Sequence, residues 1–210
     1  MRKFEFIEKY KDQLDESFLP ARADESSLYD VKCAEDTIIP SYLKKFFEFS
    51  YIVQESLEEL EEVDEAKELE TEEQKYNKNI LEKIRRQDAF TLSEVEVLTK
   101  KFGLRPTLIP TGIKAKYSNT ENLKVYARSS SPLKYLLILG NSVGVIDAKY
   151  YNNEDNEGHI MIMVLNLSPV DIVVRKGEKI AQLEFSNFNI VEDDRVNSTV
   201  RTGGFGSSDR

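Results

Sequence analysis

Two hydrophobic periods divide the chain. Residues 2–7, RKFEFI, alternate polar and apolar with the period of a half-buried strand. From about Leu108 onward that texture returns in the short runs LIPTGIKA, NLKVYARS, YLLIL, VGVIDAKY, HIMIMVLNL, DIVVR and KIAQLEF. They are rich in Val, Ile, Leu and Tyr and separated by Gly, Pro, Asn, Ser or Asp. No helical period interrupts them, so the pattern predicts an all-β sandwich or barrel and argues against βαβ units. Between Pro40 and Pro106 the spacing changes. Leu43, Phe46, Phe47, Val53, Leu57, Leu60 and Val63 recur every three or four residues, the acidic ELETEEQK follows, and Ile80, Leu81 and Ile84 mark a second helical piece. A third helix is punctuated at both ends. Thr91 and Glu94 have capping-box spacing, Leu92, Val95, Leu98 and Phe102 form a stripe, and Gly103 and Pro106 supply the stop. These patterns predict a β domain over 1–40 and 106–196, a helical insertion over 41–105 and a C-terminal arm over 197–210. The arm ends in RTGGFGSSDR, which has almost nothing to bury and reads on composition alone as a disordered terminus.

Composition narrows the chemistry. The formal charge of −9 is concentrated: eleven acidic residues stand against Lys67 and Lys75 between Tyr51 and Lys75, which leaves the remainder close to neutral. Without a basic face, binding to nucleic acid or to an anionic membrane surface is disfavoured, and the acidic run reads as a solvated helix face. No apolar run approaches the roughly 20 residues that span a bilayer. The opening MRKFEFIEKYKDQ lacks the apolar stretch of a signal peptide, so a cytoplasmic location is expected. The one cysteine, Cys33, and the one histidine, His159, have no metal-ligating or nucleophile-activating neighbours in sequence. Both read as structural.

Four stretches carry candidate chemistry. In GNSVGVIDAKYY an apolar strand ends in Asp147 with Tyr150 three residues on. A carboxylate there can deprotonate a water and a ring there can pack under a sugar, although a turn cap and a core tyrosine are the plainer account. YARSSSPLK offers a donor cluster of Arg128 and three serines suited to phosphate, or simply a turn. RKGEKIAQLEF places Gln182 at a strand edge after a Gly177 turn. The arm combines glycines, serines, Arg201 and Phe205, a set that could wrap phosphates and stack on a base.

Order and spacing decide between these accounts. SLYDVKCAEDTIIP, LIPTGIKA, ARSS, GNSVGVIDAKYY, KGEKIAQLEF and RTGGFGSS follow one another as the signature segments do in the trimeric dUTP pyrophosphatases (dUTPases). The chain resembles that family from about Leu19 to Pro40 and from Pro106 to Ser208. The resemblance implies a jelly-roll-like β domain, a homotrimer whose sites draw residues from neighbouring subunits, and hydrolysis of dUTP to dUMP and pyrophosphate with Mg2+ on the triphosphate. By the same resemblance Asp147 is the general base and Tyr150 the ring under the deoxyribose that leaves no room for a 2′-hydroxyl. Asn141 lies near the uracil. Arg128, Ser129, Ser130 and Gln182 contact phosphate, and Asp30 meets the metal through water. In the arm, Arg201 contacts the γ-phosphate, Phe205 stacks over the uracil, and Gly206, Ser207 and Ser208 wrap the β- and γ-phosphates. The sequence departs from the family pattern where Leu28 replaces a usual glycine, Lys149 stands where an acidic or small residue is common, YNNEDNEGH is longer than the usual tight turn, and the arm is one residue short before GGFG and ends in SSDR. Two alternatives stay open. Deoxycytidine triphosphate deaminases resemble the same fold, although the Asp147–Tyr150 pair and the GGFG arm favour the pyrophosphatase. The acidic helices could also dock a protein partner, against the plainer account that they pack on each other or on the trimer.

Overall fold

The structure, a computed structural model, describes residues 1–62 and 72–192, with side chains described outside 57–77. In chain order its strands are β1 (Lys3–Phe6), β2 (Ala21–Arg22), β3 (Tyr29–Lys32), β4 (Thr37–Ile39), β5 (Thr107–Pro110) and β6 (Ile113–Lys116). They continue as β7 (Glu121–Ala127), β8 (Leu137–Leu139), β9 (Gly144–Asp147), β10 (Met161–Asn166), β11 (Ile172–Val174) and β12 (Lys179–Asn187). Helices α1 (Tyr42–Glu62), α2 (Glu72–Arg86) and α3 (Leu92–Lys101) lie between β4 and β5, and the short α4 (Ser130–Tyr135) follows β7. The strands pair antiparallel in sheets of order β2-β3-β12-β7-β9, β5-β10-β8, β1-β6 and β11-β4. The molecule is mostly β, as the alternating pattern predicts.

Period-two burial explains why these runs are strands. Along β7, Glu121, Leu123 and Val125 turn inward while Asn122, Lys124 and Tyr126 turn out; along β10, Ile162, Val164 and Asn166 turn inward. Facing sheets close over Val31, Ile113, Leu123, Ile162, Ala181 and Leu183, all without solvent exposure. Each large aliphatic side chain buried in this way stabilises the fold by about 1.5–3 kcal/mol. Cys33 lies just beyond β3, fully buried, with Sγ donating to the Glu35 carbonyl.

The uninterrupted β reading needs one correction: α4 breaks the run between β7 and β8. Its six residues are too few for a 3.6-residue period to register. Pro132 is tolerated because it sits in the first turn, where backbone N–H groups have no intrahelical partner. The other helices match the sequence more closely. Thr91 and Glu94 form the reciprocal capping box, and Phe49 of α1 meets Phe102 at 4.6 Å between ring centroids. A buried polar network fastens α1 to the sheets: Ser41 donates to the Ser168 carbonyl and Asn166 donates to the Ile39 and Val170 carbonyls. The α1 stripe is only partly covered, since Phe46, Phe47 and Tyr51 are exposed on the single chain. Among the described residues, no helix is long and apolar enough to cross a membrane.

Candidate active site

The outer face of the five-stranded sheet gathers the candidate polar residues. Ladder partners share a face, so the pairings Asp30–Gln182 and Gln182–Tyr126 place Asp30 and Gln182 beside the even-numbered residues of β7. Arg128 follows directly after that strand. Gln182 Nε2 donates to Asp30 Oδ1 at 3.1 Å, Lys179 Nζ to Asp30 Oδ2 at 2.7 Å, and Arg128 Nε lies 3.5 Å from Asp30 Oδ1. Arg128 also donates to the Lys179 carbonyl. Burial opposes ionisation of Asp30, but the Lys179 ammonium, the Gln182 amide and the Arg128 guanidinium outweigh it and hold the carboxyl below its ordinary range. Ser129 and Ser130 continue from Arg128 into α4. Asp30 is therefore the organiser of a cationic group rather than an isolated carboxylate. Leu28, at the usual glycine position, fits because it is absent from the residues with left-handed φ.

Lys179 escaped the sequence reading for a local reason. Strict alternation puts Lys179 and Gln182 on opposite faces, yet the pairing with β3 slips between Lys179 and Ala181. That bulge adds a residue and rotates Lys179 onto the face of Gln182.

A second group lies along β9. Asp147 ends the strand and occupies the cap position of the following turn, Ala148–Tyr150, yet its side chain makes no capping bond and is exposed. The turn-cap account of this aspartate is thereby set aside. One residue earlier the strand is pinned, because the buried Tyr117 hydroxyl donates to the Ile146 carbonyl at 2.6 Å. Across the ladder, Asn122 carries a buried carboxamide oxygen with no hydrogen-bond partner among the described residues. Asn141 is exposed in the turn before β9, close enough that a Cβ on Gly144 would meet its Nδ2 at 3.2 Å. Tyr150 is half-buried, and burial pushes its phenol up.

The loop after Tyr150 is held by side-chain amides. Asn153 donates to the Tyr150 carbonyl at 2.8 Å and Asn156 to the Tyr150 hydroxyl at 2.7 Å. Gly158 has φ +79, and a Cβ there would lie 2.5 Å from the Tyr150 carbonyl oxygen, so the returning turn can pass the Tyr150 backbone only as glycine. His159 is buried, and its Nε2 accepts the Gly112 N–H at 3.0 Å. Burial, with Lys9 nearby, lowers its pKa to about 4, which matches the structural role read from sequence.

The two groups stand apart on one chain. Asp147 pairs with Asn122 near the start of β7, whereas Arg128 follows its end, roughly 20 Å away at about 3.3 Å per residue. A cleft of about 380 Å³ opens beside Arg128, Ser130 and Lys179 and is otherwise largely apolar, lined by Ile138, Ile172 and Val173. It does not reach Asp147 or Tyr150. Arg201, Phe205, Gly206, Ser207 and Ser208 lie outside the described residues.

With this geometry in hand, comparison with known proteins places the chain. The family model described as dUTPase matches residues 80–209, more than half of the sequence. A deoxyuridine 5′-triphosphate nucleotidohydrolase of Lactococcus lactis subsp. lactis is 48% identical over 102 residues, covering 48% of this chain and 68% of the relative. That of Pectobacterium carotovorum subsp. carotovorum is 39% identical over 110 residues, covering 50% of this chain and 68% of the relative. Among solved structures, a dUTPase from Streptococcus mutans superposes with a TM-score of 0.57 at 28% identity, over 90% of this chain and 98% of that one. The dUTPase from phage phi11 of S. aureus shares the fold at TM-score 0.51 and 13% identity, over 95% and 97% of the two chains. The sheets, the ordered segments and these matches agree: the chain belongs to the dUTPase family.

Proposed function

We propose that the protein hydrolyses dUTP to dUMP and pyrophosphate at sites shared between identical subunits of a trimer. The observation that carries this reading is the exposed Asp147 carboxylate at the end of β9, which does not cap the turn it precedes and has Tyr150 one turn further on. In the proposed reaction a water lies between Asp147 and the α-phosphorus. Asp147 accepts its proton as the new P–O bond forms, and the bond from the α-phosphorus to the bridging oxygen breaks, releasing pyrophosphate. Arg128, Lys179 and Gln182, held around Asp30, neutralise and orient the departing phosphates together with Ser129 and Ser130. Asn141 stands at the turn that would meet the uracil edge. Tyr150 underlies the deoxyribose and excludes a 2′-hydroxyl, and the arm over 197–210 closes the site through Arg201, Phe205, Gly206, Ser207 and Ser208.

Magnesium fits this arrangement as part of the substrate. Among the described residues no group of three or more His, Cys, Asp or Glu could hold a metal, and both Asp30 oxygens already face nitrogen donors. Such a donor set suits an ion that arrives on the triphosphate with its own waters, with Asp30 touching that water shell. When bound, the ion would offset phosphate charge.

The roughly 20 Å between Asp147 and Arg128 supports sharing, since both must act on one triphosphate. This reading also divides the chain into a β domain (1–40 and 106–196), a helical insertion (41–105) and the arm, in a cytoplasmic enzyme. The test is pyrophosphate release from dUTP, dCTP, dTTP and UTP with magnesium. Turnover confined to dUTP and reduced at least 100-fold in Asp147→Asn is expected, because a positioned base contributes about 10²–10⁴-fold. Unchanged turnover in that variant would remove Asp147 from the reaction.

A further inference from the structure

We propose that Asn156 is a positioning residue that sets sugar selectivity by locking the ring of Tyr150. The proposal rests on the reading of Tyr150 as the residue beneath the deoxyribose. An apolar pocket rejects an analogue that merely adds a hydroxyl weakly, by about 10²-fold. Strong exclusion of a 2′-hydroxyl needs a ring that cannot move, and the loop after Tyr150 supplies the restraint.

The phenol is engaged both as acceptor and as donor. Asn156 Nδ2 donates to Tyr150 Oη at 2.7 Å, and that hydroxyl donates in turn to the His159 carbonyl at 3.1 Å. The Asn156 amide cannot flip without loss, because its Oδ1 accepts from Asn153 Nδ2 at 2.9 Å and from the Gly158 N–H at 3.1 Å. Asn153 closes the circuit by donating to the Tyr150 carbonyl at 2.8 Å. The tyrosine is thus held at its backbone by Asn153 and at its far end by Asn156, six residues along the same loop. Within the long segment YNNEDNEGH, it is Asn156 that comes back to the phenol, which gives the extra length a purpose.

The experiment measures kcat/KM for dUTP and for UTP in the full chain, in Asn156→Ala, in Tyr150→Phe and in the double variant. A purely structural role lowers the folded fraction and scales both substrates equally, leaving their ratio unchanged. Positioning predicts that the dUTP-over-UTP ratio falls about five- to tenfold in Asn156→Ala, the worth of one hydrogen bond. Tyr150→Phe, which keeps the ring but also loses the bond to the His159 carbonyl, should fall at least as far, and the double variant no further than Tyr150→Phe, because the Asn156–phenol link is then already cut. If Asn156→Ala does not fold, Tyr150→Phe decides alone. A folded Asn156→Ala or a Tyr150→Phe that keeps the parent ratio overturns the proposal while leaving dUTP hydrolysis intact. A parent protein that turns over dUTP without preferring it to UTP overturns the reading of Tyr150 and the proposal with it.

Discussion

His159 illustrates how one residue can be assigned from very little. It is the chain's single histidine, with no metal-ligating or nucleophile-activating neighbour in sequence, which leaves a structural role. In the fold it sits against Tyr10 with Nε2 accepting from Gly112, and burial lowers its pKa to about 4. The unfolded chain takes up a proton near pH 6.5 that the folded chain refuses until about pH 4. Stability is therefore complete above about pH 6.5 and declines as pH falls through that window. Urea unfolding at fixed protein concentration should lose about 2 kcal/mol between pH 7 and pH 5. His159→Gln, whose side-chain oxygen can still accept from Gly112, should flatten that slope, and an equal slope in both proteins would contradict the buried neutral histidine. Lys179 is the opposite case. Its place beside Asp30 depends on a bulge, and a bulge breaks the alternation from which facing is read, so only the structure could reveal it. Asn156 was hidden for a similar reason, because side-chain amides that brace a loop leave no period.

Elements were legible in proportion to how much local chemistry specifies them. The α3 helix was readable to the residue at its start because its cap is written in sequence as Thr91 and Glu94, and the structure closes both reciprocal bonds. Strands such as β7 and β10 were readable from alternation. α4 was not, since its six residues begin in a serine cluster that equally describes a turn. Nor did sequence predict how α1 is fastened. Asn166, with 1% of its surface exposed, donates to the Ile39 and Val170 carbonyls and accepts from the Ser168 N–H and hydroxyl, while Ser41 takes up the Ser168 carbonyl. Every member is satisfied, so removing the centre strands several buried groups at once. Asn166→Ala should cost about 2–4 kcal/mol in equilibrium unfolding. A loss below about 0.5 kcal/mol would mean that the network does not secure the start of α1. The apolar stripe on α1 shows the limit of periodicity: its Phe46 and Phe47 stay exposed on the single chain, while Phe49, outside that stripe, finds Phe102.

At the scale of the molecule, the sequence order of the segments pointed to a family that the comparisons establish, but it could not say which residues meet within one chain. β7 answers that question. By acting as a ruler between Asn122, opposite Asp147, and Arg128, it keeps the proposed base away from the proposed phosphate group. In the proposed reading a complete site takes Asp147 from one copy and the Asp30–Lys179–Gln182–Arg128 group from another. The most direct measurement is complementation: Asp147→Asn and Arg128→Ala, each deficient alone, are co-expressed so that their subunits mix at random, and pyrophosphate release from dUTP is assayed. Shared sites predict recovery to about a quarter of the parent rate, because half the copies supply each intact side and the two must coincide. Activity no greater than that of the separate variants would place both residues in a site made by one chain and contradict the account.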